Sequence, residues 1–176
     1  MNRLSNCVSL LAFLVWFSGC ANKDPNITSS GKDEFQSHEL SKPIDQNQIQ
    51  YEDIIYVPIY SDVYVDGSNP RNLLAATLSI RNTSYSDTLF ISKIDYYNTA
   101  GTLVRNYIPN PISLAPMGTI NYVIEREDDA GGSGANFIVE LSAKNDKVRP
   151  LIQAVMLADY GNKAFSFLTD GYSVKE

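Results

Sequence analysis

Leu74-Ala75-Ala76-Thr77-Leu78-Ser79-Ile80-Arg81 alternates without a break. Leu74, Ala76, Leu78 and Ile80 fall on one side; Ala75, Thr77, Ser79 and Arg81 fall on the other. A period of two over eight residues is the mark of a strand with one face on a core. Thr119 to Arg126 repeats it with Ile120, Tyr122 and Ile124 inward, and Asn136 to Ala143 does so with Phe137, Val139 and Leu141. In Thr88 to Tyr97 the alternation slips between Ile91 and Ile94, which predicts a bulge. Asn98-Thr99-Ala100-Gly101 reads as a turn into a strand over Thr102 to Ile108. Before these, Ile54 to Val65 is a strand region bent at Pro58, suited to an edge or a strand start. Pro109, Pro111 and Pro116 punctuate the stretch after Ile108. Leu151 to Asp159 is apolar on both sides, as expected of a central strand, and Gly161-Asn162 turns the chain into a last strand, Lys163 to Thr169.

No segment here carries an amphipathic helix of ten or more residues. Seven or eight strands in about 125 residues, separated by turn residues, predict an all-β fold: an antiparallel two-sheet β-sandwich of immunoglobulin-like type. That length buries a sufficient core without disulfides or metals.

The N-terminus has a different texture. A polar head with Arg3 precedes the apolar run Val8 to Phe17, then Ser18 and Gly19, the layout of a secretory signal. The run is about half the ~20 residues that a membrane-crossing helix needs. Phe17-Ser18-Gly19-Cys20 resembles the bacterial lipobox, which implies that Cys20 becomes the lipid-modified first residue of the mature chain. Each buried methylene contributes about 0.8 kcal/mol, so several acyl chains hold where one is marginal. Ala21, not Asp, follows Cys20; by resemblance to enterobacterial sorting this favours the outer membrane. The expected organisation is therefore a signal peptide over 1–19, lipidated Cys20 with a flexible tether over 20–50, and one β-sandwich over 51–176. The tether expectation rests on Asn, Ser, Gln, Lys and Asp with Pro25, Gly31 and Pro43 and no apolar period. About thirty such residues have a root-mean-square reach of roughly 30 Å.

Composition narrows the chemistry. Cys7 leaves with the signal and Cys20 is capped, so the mature chain offers no thiol for a disulfide, a zinc site or nucleophilic attack. Removing Arg3 leaves 13 basic against 20 acidic side chains, a net charge near −7. Such a balance argues against nucleic acid or an anionic lipid surface as a bulk electrostatic partner. The sole histidine, His38, lies in the tether, and the sole tryptophan, Trp16, in the signal. Neither a cofactor nor a metal is expected.

Ala76-Thr77-Leu78-Ser79-Ile80-Arg81-Asn82-Thr83, Asp95-Tyr96-Tyr97-Asn98-Thr99-Ala100-Gly101 and Leu103-Val104-Arg105 resemble one half of a known pattern. Gly131-Gly132-Ser133-Gly134-Ala135-Asn136-Phe137-Ile138-Val139-Glu140 and Ala154-Val155-Met156 resemble the other. From about Tyr56 to Thr169 the chain resembles the bacterial family called domain of unknown function 3124, often found as lipoproteins. The resemblance implies one extracytoplasmic domain, with no catalytic residue or ligand to carry over.

Three groups are candidate sites. In Asp128-Asp129-Ala130-Gly131-Gly132-Ser133-Gly134, successive amides could form an anion nest. The loop has no following Lys-Ser/Thr pair, leads into a strand, and carries two aspartates that repel phosphate. Ser133 between glycines loosely matches a nucleophile elbow, but the folded part has no histidine to act as base. The plainer alternative is a connecting loop whose glycines take positive φ. Glu125, Glu127, Asp128 and Asp129 could supply oxygens to Ca²⁺, or simply form a solvated strand end. The tyrosines are the third group. Tyr56, Tyr60 and Tyr64 share strand parity, and Tyr96 and Tyr97 point to opposite faces, so one of that pair is expected at a surface. Tyrosines near Asn and Asp suit a sugar or a peptide; they also fill cores. The leading expectation is a non-catalytic binding or scaffolding domain for an envelope protein or glycan. The rival is an envelope enzyme using carboxylates such as Asp95 and Glu140, or tyrosine, on glycans.

Overall fold

The computed structural model describes residues 38–40, 43–64, 66–67, 71–160 and 162–174. Among these residues twelve strands are formed: β1 (Tyr51–Ile59), β2 (Asp62–Tyr64), β3 (Arg71–Leu73), β4 (Ala75–Arg81), β5 (Leu89–Tyr97), β6 (Leu103–Asn106), β7 (Ile112–Leu114), β8 (Thr119–Ile124), β9 (Ala135–Ala143), β10 (Leu151–Tyr160), β11 (Lys163–Asp170) and β12 (Tyr172–Ser173). Seven of them are six or more residues long, which matches the periodic segments. The other five are too short to show a period. A single 3₁₀ turn, Gln46–Gln48, precedes β1, and no described helix is long and apolar enough to cross a membrane.

The strands form two antiparallel sheets and a β2–β3 hairpin. The larger sheet runs β12-β1-β9-β5-β6, with β7 beside the first half of β5; the smaller runs β11-β10-β4-β8. Their inward residues meet in one buried cluster. Val57, Ile94, Phe137 and Val139 come from the larger sheet, and Leu78, Ile80, Ile120 and Met156 from the smaller. Burial of both inner faces is the main driving force for closing the sandwich. The β4–β8 and β5–β9 pairs correspond to the B–E and C–F pairs of an immunoglobulin domain. The flanks depart from it. β10 follows β9 yet crosses to the other sheet, and the first strand, β1, lies beside β9.

Local readings translate directly. Residues 120, 122 and 124 of β8 and 137, 139 and 141 of β9 are buried in strict alternation. The β5–β9 register shifts between Ile91 and Lys93, where the slip was expected. Asn98 holds the following turn by accepting from the amides of Ala100 and Thr102, and Gly101 takes φ 75°. Pro58 is interior to β1 but pairs only with Asn136, beyond the two residues of β12 on the other side. The proline therefore lacks an amide where the strand is locally an edge.

Two expectations change. β10 is central by hydrogen bonding but has one open face: Ile152, Ala154 and Met156 are buried while Leu151, Val155 and Leu157 are exposed. Residues 38–40 and Gln50, expected in the tether, are instead held by backbone bonds. Glu39 bridges to Ile112, the Leu40 amide donates to Pro111, Ser113 donates to the His38 carbonyl, and Gln50 donates to Ala143. Backbone bonds of this kind need no apolar period, so the segment reads as polar coil. The signal segment and Cys20 lie outside the described residues.

Candidate functional site

The residues singled out from sequence separate into a buried set and a surface set. Tyr96 belongs to the first. It is 0% exposed, its ring packs against Phe137 at 5.4 Å, and its hydroxyl shares a 3.0 Å hydrogen bond with Ser61. Burial raises its pKa, partly offset by that hydrogen bond. It is a core residue and not a binding one, because the bulge near Ser92 turns positions 94 and 96 inward.

The Gly-rich loop is explained by the same tyrosine. A Cβ on Gly131 would lie 1.9 Å from the Tyr96 hydroxyl and 2.6 Å from Ser61 Oγ. Only glycine permits that approach. Gly132 has φ 72°. The Gly131 carbonyl accepts from the Thr99 amide and hydroxyl, and the Gly132 carbonyl accepts from the Ser61 amide. The Gly132 and Gly134 amides donate to Asp129 O and Thr99 Oγ1. These amides are committed inside the protein, which removes the basis for an anion nest. Asp128 pairs with Arg105 at 3.2 Å, and the Arg105 guanidinium also sits 5.5 Å from the Tyr107 ring centroid. Among the described residues no cluster of three or more His, Cys, Asp or Glu could hold a metal ion. Asp129 is exposed, and Asp128 is half-buried and partly neutralised by Arg105.

The tyrosine triplet also divides. Tyr60 packs edge-on against Phe167 at 5.7 Å, and Tyr64 lies under the Arg71 guanidinium at 5.5 Å. The chain leaves β1 at Tyr60, so parity no longer fixes a common face.

What assembles is the outer face of the larger sheet. Tyr56 stands opposite both Tyr172 and Ile138, Ile138 opposite Asp95, and Asp95 opposite Asn106. This is one cross-strand row over five strands. The flanking row carries Pro58, Asn136 and Tyr97; the next, on the other side, carries Ile54, Glu140 and Lys93. Directly opposed side chains sit about 4.5–5.5 Å apart, so each row is a continuous contact surface. Tyr56 and Tyr172 hold ring centroids 5.3 Å apart. Asn106 Nδ2 donates to Asp95 at 2.7 Å and the Tyr97 hydroxyl donates to it at 3.5 Å, and Asp95 is only 6% exposed. Lys93 Nζ lies 2.5 Å from Glu140. That hydrogen bond raises the Lys93 pKa, and burial beside Tyr172 raises that of Tyr56. At the Lys93 end a depression of about 250 Å³ opens between the docked segment (Ile44, Gln46) and Glu52, Ser92, Glu140 and Ser142. The face is aromatic at one end and amide- and carboxylate-bearing at the other. Asp95 and Glu140 share it, but each is already engaged, by Asn106 and by Lys93. Tyr97, Asp95 and Glu140 were legible as candidates; Asn106, Lys93, Asn136 and Tyr172 were not, because only the register joins them.

The fold and this face define a two-sheet antiparallel sandwich with an open aromatic–polar surface. Residues 52–174 match the family described as Protein of unknown function (DUF3124), and the chain belongs to that family. No curated protein matches the chain. The solved structure titled Crystal Structure of Thermotoga maritima 1070 aligns with a TM-score of 0.41 at 14% identity, covering 68% of this chain and 92% of that one.

Proposed function

We propose that this chain is a lipid-anchored envelope protein whose sandwich binds a glycan or an extended peptide, without catalysis, on the outer face of the larger sheet. The row Tyr172–Tyr56–Ile138–Asp95–Asn106 carries the reading. Tyrosine supplies large rigid contact area with a polar tip, and the neighbouring amides and carboxylate supply directional bonds. A sugar ring or a peptide backbone presents the matching combination of apolar faces and polar edges. The engaged carboxylates support binding over hydrolysis, since a glycosidase needs one acid free to protonate the leaving oxygen.

The signal-like first nineteen residues and the lipobox resemblance support the anchor at Cys20. Mass spectrometry of the mature N-terminus should find acylated Cys20; an unmodified N-terminus at another residue would refute the anchor.

Binding is tested with the full-length protein and solubilised cell-wall glycan, with an extended peptide library as the second probe. Tyr56→Ala should weaken whichever probe binds by about tenfold, near 1.4 kcal/mol. Binding unaltered by Tyr56→Ala, or no binding to either probe, would overturn the assignment of this face.

A further inference from the structure

The smaller sheet ends on one side in β11, its longer edge strand, and that edge differs from those of the larger sheet. The larger sheet closes with strands of two, three and four residues, and short edge strands are one way proteins suppress edge pairing. β11 is eight residues long, Lys163-Ala164-Phe165-Ser166-Phe167-Leu168-Thr169-Asp170. It pairs with β10 through eight consecutive positions with no register shift. It contains no proline, and its only charges are its first and last residues. Phe165, Ser166 and Leu168 are exposed. Among the described residues no strand lies along its other side.

The order of the charges names the occupant. A strand that starts positive and ends negative repels a parallel copy of itself at both ends. An antiparallel copy brings Lys163 of each beside the Asp170 end of the other. We infer that β11 is a homodimer edge, pairing antiparallel with β11 of a second copy about a two-fold axis at Ser166. In that register Ser166 faces itself, Phe165 faces Phe167 of the partner copy, and Ala164 faces Leu168. The facing residues keep their side of the sheet, as a continuous eight-stranded sheet requires. The dimer gains two cross-strand aromatic pairs, each copy supplying one ring to each, and the same patch serves on both subunits, as two-fold symmetry demands. The aliphatic outer surface of Leu168 and its neighbour Val155 then continues across the junction. The inference concerns the other sheet and does not rest on the ligand-binding proposal.

Directly opposed Cα atoms on antiparallel strands lie about 4.5–5.5 Å apart, inside the range of about 4.4–6.8 Å that a disulfide spans. Full-length protein in mild detergent should sediment as a dimer at micromolar concentration. Ser166→Cys should give a disulfide-linked dimer on mild oxidation, at least tenfold above both the parent chain and Asn121→Cys on the opposite edge strand, β8. Ser166→Lys sets two like charges on the axis and should give monomers with an unchanged far-ultraviolet circular dichroism spectrum. A monomeric parent protein, or Ser166→Cys crosslinking no better than Asn121→Cys, would overturn the inference. So would a Ser166→Lys dimer.

Discussion

The two outer faces of the sandwich rest on the same core and differ in chemistry. On the larger sheet the central rows mix aromatic or aliphatic side chains with carboxylate, ammonium or amide groups, and in two of them those polar groups are cross-linked, Lys93 to Glu140 and Asn106 to Asp95. On the smaller sheet the central rows read Asp170–Gln153–Ser79–Asn121 and Leu168–Val155–Thr77–Val123, with one charge among eight positions. Leu157, Val123 and Leu168 are 54%, 57% and 56% exposed there. A hydrogen-bonded, pre-positioned polar face suits orientation of a ligand, whereas charge depletion is the signature of the middle of a protein–protein contact. The proposed pairing of β11 would extend this charge-poor face across two copies, on the sheet opposite the proposed ligand face.

The largest effect should come from breaking what both faces share. Phe137 is fully buried and touches Tyr96 and Tyr107, so Phe137→Ala should lower unfolding free energy by about 3–5 kcal/mol in urea titration. A loss under 1 kcal/mol would mean that the core is not continuous beneath the ligand face.

A smaller effect is expected from alkali. Burial, with Asp53 beside it, pushes the Tyr51 phenol up to about 12, and burial also raises Tyr107 and Tyr122. An unfolded tyrosine ionises near 10. Below about pH 10 both states keep the proton and the stabilisation is fully present. Above it the unfolded chain loses protons first, so stability should fall progressively between pH 10 and 12. Urea midpoints at pH 8 and pH 11 read this directly; equal midpoints would contradict it.

The smallest effect separates the faces. Leu157→Thr on the smaller sheet should change stability by no more than about 0.5 kcal/mol, because the side chain is already half in water. It should leave ligand binding unaltered, in contrast to Tyr56→Ala, and isothermal titration of the two variants sharpens the division.

Those residues also mark how far the sequence could be read. β4, β8 and β9 were legible because one side of each alternation is buried and the other largely polar. β10 was misread as covered on both faces, since an exposed aliphatic face carries the same letters as a buried one. Tyr96 and Tyr97 were placed on opposite faces by parity, but which one is buried depends on the bulge and on Gly131 fitting under the Tyr96 hydroxyl. β7 and β12 span three and two residues, too few for a period, and they exist because the longer β5 and β1 offer them an edge. The ligand face was the least legible part. Asp95, Asn106, Lys93 and Glu140 are brought together by pairings of β5 with β6 and β9, and no local signal encodes cross-strand register.

The account turns on the larger sheet's outer face being where ligand sits. Tyrosine footprinting by hydroxyl radicals, with and without saturating solubilised cell-wall glycan or the best-binding peptide, tests that most directly. Tyr56, Tyr97 and Tyr172 should lose most of their labelling, while Tyr64 and Tyr85, at 57% and 88% exposure, should keep theirs. Protection of Tyr64 or Tyr85 with Tyr56 and Tyr172 still labelled would contradict the account.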